Sequence, residues 1–223
     1  MRACWYNFNR KIYCMTVLSQ ILTCKIVAII RGAAPQNVAA IAEALHEGGI
    51  RCLEITLNSP NALQIIENIA TKMEGRILVG AGTVLNAREA ANAIAAGAKF
   101  IISPITNIET INKTKQLGTV SIPGAFTPTE IFTAYSGGGD IIKVFPGSSG
   151  PGFIKEILAP LPHIPLMPTG GINLGNIHEF KKAGAVAFGV GKSLVDTKQK
   201  ITDAFLDEII KNAQRFVQAI TKA

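Results

Sequence analysis

The sequence predicts an α/β fold, a single (β/α)8 TIM barrel, and three observations carry that prediction. From Lys25 onward, short apolar β-branched runs alternate with longer segments of helical period, the pattern of βαβ units and a parallel sheet. Eight such units follow one another in about 200 residues, near the lower size limit of such barrels. No linker or low-complexity stretch interrupts them, so one domain is expected over residues 25–223, with residues 1–24 set apart as an N-terminal extension.

The candidate strands are 26–31, 52–56, 78–83, 100–103, 120–125, 141–145, 166–169 and 187–190. Helix starts after them are marked by Pro35, Pro60-Asn61, Asn86 and Thr127-Pro128, where a proline or a capping side chain suits the first turn. Glycines such as Gly97 and Gly184 stand just before the next strand, where a left-handed residue closes a helix. Residues 203–220, apolar at Phe205, Ile209, Phe216 and Ile220, read as the closing helix. A doubly wound open sheet is the rival architecture, but Gly80-Ala81-Gly82 lacks the third glycine of a dinucleotide fingerprint.

Composition narrows the function classes. The net charge is +7, yet residues 1–42 hold five basic side chains and no acid, so the rest is nearly balanced. The basic residues form no stripe with interleaved aromatics, which argues against nucleic acid and leaves an anionic small substrate as the simpler reading. Apolar runs are much shorter than the roughly 20 residues of a membrane span, so no membrane partner is expected. Cys4, Cys14, Cys24 and Cys52 contain no Cys-x-x-Cys pair, no histidine stands at metal-ligand spacing, and the thiols read as reduced, in a cytoplasmic protein without a metal. Met15 offers an alternative start, and the basic, aromatic residues before it lack the features of a signal peptide.

Alternation along the strands then selects the residues that carry chemistry. Ile141, Lys143 and Phe145 share one face of the sixth candidate strand, which would point Lys143 into the barrel. An amine in an apolar setting loses hydration and becomes nucleophilic nearer neutral pH; the plain alternative is a lysine reaching to solvent. Cys52, Glu54 and Thr56 share a face of the second strand, so Glu54 either pairs with Lys143 structurally or divides nucleophile and proton-carrier roles with it. Val79, Ala81 and Thr83 line up on the third strand, and Val27, Ile29 and Arg31 on the first, where Arg31 can clamp a carboxylate. Pro168 to Ile172 and Gly189 to Ser193 supply two glycine-rich loops after the last two strands, a common place for phosphate in barrels; tight turns are the plain alternative.

Taken together, the segments at 53–57, 79–85, 122–124, 143–146 and 168–172 resemble the 2-keto-3-deoxy-6-phosphogluconate (KDPG) and 4-hydroxy-2-oxoglutarate (KHG) aldolases, and the likeness runs from Lys25 to Val195. The resemblance implies a class I aldolase in which Lys143 forms an imine with the keto carbon and Glu54 shuttles protons. It further implies that Thr83 binds the pyruvate carboxylate, that Pro123 and Phe145 line the pyruvate pocket, and that Thr169 faces the hydroxylated carbons. Gly170, Gly171, Gly191 and Ser193 would receive the phosphate. The reaction would give pyruvate and glyceraldehyde 3-phosphate without cofactor or metal, in a homotrimer.

The chain departs from the family at Asn58, where many members place an arginine, and Arg31 resembles the residue that others use instead. A sister group acting on the galactonate epimer shares the Ile-Ile-Arg-Gly and Leu-Asn-Ser-Pro segments found at 29–32 and 57–60, but tends to carry valine where this chain has Thr169. That hydroxyl favours the gluconate epimer. A non-catalytic phosphate-binding homologue is the contrasting hypothesis, and would have no need of Lys143.

Overall fold

The computed structural model describes residues 15–221. Helix α1 (Val17–Cys24) comes first, its start capped by the Thr16 hydroxyl, which accepts the Ser19 amide at 3.2 Å. The strands are β1 (Ile26–Ile30), β2 (Cys52–Thr56), β3 (Leu78–Gly82), β4 (Phe100–Ile102), β5 (Val120–Ile122), β6 (Gly124–Ala125), β7 (Ile142–Val144), β8 (Leu166–Pro168) and β9 (Phe188–Val190). Between and after them run α2 (Pro35–Glu47), α3 (Ala62–Lys72), α4 (Ala87–Ala95), α5 (Ile108–Gln116), α6 (Pro128–Ser136), α7 (Pro151–Leu158), α8 (Ile177–Lys182) and α9 (Asp203–Thr221). Local chemistry fixes these boundaries. Asn86 caps α4 by accepting the Glu89 amide at 2.9 Å, and Thr127 and Glu130 form a reciprocal capping box ahead of Pro128. Left-handed glycines return the chain to the sheet, Gly97 at φ 106° and Gly184 at φ 102° among them.

The closed eight-stranded barrel expected from the sequence is not formed. Among the described residues the strands make two parallel sheets, β5-β4-β3-β2-β1-β9 and β6-β7-β8. Pro123 is the physical cause at one seam: with no amide hydrogen it cannot extend a ladder, and the candidate strand 120–125 divides there into β5 and β6, each paired in a different sheet. At the other seam only one bridge, Thr169 to Gly189, joins β8 to β9. Counting strand–helix units gives the number of segments but not the continuity of their hydrogen bonds.

Alternation divides the apolar side chains into two cores. Ala28, Leu53, Val79, Ile142 and Phe188 pack outward against the helices, in a cluster with Ile41, Ile66, Ile131 and Phe216. Val27, Cys52, Phe100, Ile122, Ile141 and Met167 point the other way and form a second cluster shared by both sheets. Helix α1 belongs to this inner core: Ile21 is fully buried in it, with Val17, Leu18, Leu22 and Cys24 packed around. Residues 17–24, grouped with the extension on sequence grounds, therefore close the foot of the inner core, while residues 1–14 lie outside the described residues. Apolar residues fill this core from below, and the polar site lies above it, at the carboxyl ends of the strands.

Candidate active site

Lys143 stands in the middle of β7, between two ladders: Gly124 is its partner in β6 and Met167 in β8, and its own amide donates to the Pro123 carbonyl at 2.9 Å. Its side chain points inward as the alternation with Ile141 and Phe145 predicts, and the residue is 4% exposed. Burial pushes the ammonium below its ordinary range; the Glu54 carboxylate opposes that shift and the Arg31 guanidinium adds to it. The Phe145 ring centroid lies 5.0 Å from Nζ.

Glu54 occupies the centre of the larger sheet, opposite Ile29 of β1 and Gly80 of β3. It is 1% exposed, and among the described residues neither carboxylate oxygen has a hydrogen-bond partner. Desolvation raises its proton affinity above the usual carboxylate range, with Lys143 and then Arg31 pulling it back. The two groups sense each other's charge without a bond that would fix both, the condition for exchanging protons with a third party. Space for the carboxylate comes from Gly82: a Cβ there would stand 1.6 Å from Oε1 of Glu54. Gly80 serves likewise beneath, where a Cβ would collide with the Phe100 ring at 2.2 Å.

A cavity of about 350 Å³ opens over Lys143 at the ends of β1, β7, β8 and β9. Eight of the eleven candidate residues line it, namely Arg31, Lys143, Phe145, Thr169, Gly170, Gly171, Gly191 and Ser193. Arg31 is oriented from two sides, donating to Asn58 Oδ1 at 3.1 Å and to Thr83 Oγ1 at 3.3 Å, and its carbonyl accepts from the Thr197 hydroxyl at 2.6 Å. Asn58, noted in the sequence as a departure, is thus a direct hydrogen-bond partner of Arg31.

Thr83 arrives by a route that strand alternation does not give. Val79 and Ala81, which share its expected face, are buried outward against the helices, and Gly80 and Gly82 face inward. Thr83 turns back to Arg31 because its backbone adopts φ 57°, a left-handed conformation that costs a β-branched residue about 1–3 kcal/mol. Its other side lines a neighbouring cavity of about 640 Å³ with Asn58 and Leu85. That larger space holds no buried titratable group, and its carboxylate, Glu89, is engaged by the Leu85 amide and the Asn86 side chain, both at 2.8 Å.

Pro123 does not line the cavity over Lys143. It sits at the sheet break, its ring toward Gly139, and contributes a carbonyl to Lys143 instead. Thr169 lines the cavity just beyond β8, buried against Gly189, where a Cβ would lie 2.3 Å from its hydroxyl, and among the described residues that hydroxyl makes a long 3.4 Å bond to the Met167 carbonyl. The two glycine-rich loops meet above: the Ser193 hydroxyl donates to the Ile172 carbonyl at 2.5 Å, and Asn173 and Asn176 donate to the Gly171 carbonyl at 3.0 and 2.9 Å. Ser193 therefore ties loop to loop with its hydroxyl. Lys192, in the same loop and unassigned by sequence reasoning, brings a cation to the cavity wall, its Nζ 3.7 Å from Asp196. Its place within a glycine-rich segment was the available signal. No three His, Cys, Asp or Glu side chains gather as metal ligands among the described residues.

Chemically, the arrangement offers one amine that gives up its proton readily, one acid that keeps its proton unusually well, and a cationic upper rim. Comparison with known proteins agrees in kind. A family model described as KDPG and KHG aldolase matches residues 17–211. The 2-dehydro-3-deoxy-6-phosphogalactonate aldolase of Escherichia coli K12 is 32% identical over 200 residues, 89% of this chain and 95% of that one. The KHG/KDPG aldolase of the same organism is 33% identical over 186 residues, 82% of this chain and 86% of its own length. A KDPG aldolase structure from Legionella pneumophila, with pyruvate captured at low pH as a covalent carbinolamine intermediate, superposes with a TM-score of 0.79 at 25% identity, covering 91% of this chain and 98% of that one.

Proposed function

The chain belongs to the KDPG and KHG aldolase family and is a lyase; from that premise we propose that it cleaves 2-keto-3-deoxy-6-phosphogluconate to pyruvate and glyceraldehyde 3-phosphate through an imine on Lys143. The observation that carries this reading is the buried, unbonded pairing of Lys143 with Glu54 beneath the cavity.

In this reading the neutral Lys143 amine attacks the C2 carbonyl, and Glu54 gives a proton to the departing hydroxyl as the carbinolamine loses water. The resulting protonated imine accepts the electron pair of the C3–C4 bond as the C4 hydroxyl gives its proton to the Glu54 carboxylate; Glu54 returns that proton to C3 of the enamine, and water hydrolyses the imine to pyruvate and the free Lys143 amine, so the cycle requires neither metal nor cofactor. Phe145, its ring 5.0 Å from the nitrogen, favours that cation and walls the pyruvate end. Arg31, held by Asn58 and Thr83, pairs with the substrate carboxylate. The phosphate is received by the glycine loops at Gly170, Gly171 and Gly191, with Lys192 supplying charge that the Ser193 hydroxyl, bound to Ile172, does not.

Thr169 selects the epimer, its weakly engaged hydroxyl meeting the hydroxylated carbons. The galactonate epimer is the second reading, favoured by the long match to the E. coli phosphogalactonate aldolase. Specificity constants for the two epimers decide between them. The reading predicts a preference of about tenfold or more for the gluconate epimer, reduced several-fold in Thr169→Val. A preference for the galactonate epimer would overturn the substrate while leaving the imine chemistry standing. We further propose a cytoplasmic homotrimer, supported by exposed apolar side chains at Leu63, Leu85, Ile105 and Phe132 that a subunit contact would cover.

A further inference from the structure

The foot of the inner core, opposite the lysine site, holds a pair of thiols that the aldolase reading does not use. Lys25, left-handed at φ 60°, turns the chain from the end of α1 directly into β1, and β1 pairs with β2 so that Val27 lies beside Cys52. That turn packs Cys24, the last residue of α1, against the inner cluster that holds Cys52, the first residue of β2. The two differ sharply in access. Cys52 is fully buried in the inner cluster, whereas Cys24 is partly exposed and lines a cavity of about 280 Å³ together with Arg51 and Arg76.

Their surroundings give them different chemistry. The neighbouring Cys52 side chain, and then the positive charge of Arg51, bring the Cys24 thiol down to about 7 despite its partial burial, which favours its thiolate form. Arg51 is held there by its own bonds to the His46 and Ile50 carbonyls at 2.6 and 3.1 Å. Its contact with Cys24 and its burial push Cys52 the other way, so it stays a protonated thiol. An accessible thiolate beside a buried protonated thiol is the arrangement of an attacking and a resolving cysteine.

We propose that Cys24 and Cys52 form a peroxide-responsive thiol pair, in which Cys24 is oxidised first and Cys52 then closes a reversible disulfide across the foot of the inner core. In the first step the Cys24 thiolate attacks one oxygen of hydrogen peroxide; the O–O bond breaks, hydroxide leaves, and Cys24 becomes a sulfenic acid. In the second step the Cys52 sulfur attacks the Cys24 sulfur, the S–O bond breaks, and the departing hydroxide takes the Cys52 proton as water. Two thiols are oxidised by two electrons and one peroxide is reduced to two waters. In a reducing compartment the bond is transient, as cytosolic disulfides of this kind are. It would fasten α1 to β2, the strand whose inner face carries Glu54 two residues beyond Cys52.

The test uses the full chain, reduced, treated with a small excess of hydrogen peroxide and then alkylated and digested without reductant. Mass mapping is expected to find the peptides of Cys24 and Cys52 joined, with the link lost on adding dithiothreitol. In Cys52→Ser, a sulfenic-acid trap such as dimedone is expected to label Cys24, and about tenfold faster than Cys52 is labelled in Cys24→Ser. Links that join Cys24 or Cys52 only to Cys4 or Cys14, or recovery of both as alkylated thiols after that treatment, would overturn the proposal. The mapping of the unsubstituted chain stands alone should either variant fold poorly.

Discussion

Two lysine–carboxylate pairs involve β7 or the residues just before it, and they differ in almost every respect. Lys115 on α5 reaches Asp140, just before β7, and both carboxylate oxygens lie 2.7 Å from its Nζ; one of them also accepts the Ser121 amide at 2.8 Å. Every partner is satisfied, and the lysine side chain is 41% exposed. Lys143 and Glu54 are both almost wholly buried, and the carboxylate has no hydrogen bond among the described residues. The first pair fastens a helix to a strand at little net gain, because water competes for it. The second keeps two desolvated groups reactive by leaving them incompletely paired, at a cost in stability that only a function repays.

Substitutions sharpen the contrast, the largest effect first. Lys143→Met is predicted to remove aldolase activity by about 10⁴-fold or more, since the other amine of the cavity wall, Lys192, is exposed and faces Asp196. Glu54→Gln should lower kcat by about 10²–10⁴-fold with a smaller change in KM. The double variant Lys143→Met/Glu54→Gln is predicted to melt higher than the parent, by about 1–4 kcal/mol near neutral pH. The sign follows from the two shifts. Glu54, with its proton affinity raised, costs stability once pH rises above its ordinary 4.5, and Lys143, with its own lowered, costs stability until pH passes its ordinary 10.5. Both costs overlap between those values, so the gain shrinks toward either end of the range. Thermal melts across pH check this, and a double variant that melts lower at pH 7 would mean the pair is structural.

Gly82→Ala probes the same site through space. Its Cβ would displace the Glu54 carboxylate, and kcat is expected to fall by about tenfold or more, with Glu54→Asp in the same chain recovering part of the loss. Arg31→Gln is expected to raise KM and to move the acid limb of the pH–activity profile upward, because the guanidinium holds down the proton affinities of both Lys143 and Glu54. An unmoved limb would detach Arg31 from the pair. The smallest effect is reserved for Lys115→Met, which should cost about 0.5 kcal/mol and leave kcat/KM within about twofold.

Much of this was legible in the sequence, and the failures have physical causes. Strand alternation turned Lys143 and Glu54 inward, where the structure has them, because β2 and β7 are regular through those positions, and Arg31 follows directly on the end of β1. It misplaced the face of Val79 and Ala81, since a left-handed Thr83 reaches the site from a strand whose inner positions are the glycines 80 and 82. Those glycines were legible as a motif but not as space for a carboxylate and a ring. Barrel closure was inferred from a count of units, and a proline within the candidate fifth strand was the sign that a ladder would break there. Whether Glu54 was bonded to Lys143 depends on fractions of a strand spacing, which residue types do not encode. The exchange of the family arginine for Asn58 became intelligible only when Asn58 was seen to hold Arg31.

The central claim is that the buried Lys143 amine condenses with a keto acid. Reduction with borohydride in the presence of pyruvate, followed by digestion and mass mapping, tests it most directly. The account predicts a single reduced pyruvyl adduct on the peptide carrying Lys143, absent without pyruvate and absent in Lys143→Met. An adduct on another lysine, or none while the enzyme turns over its substrate, would contradict it.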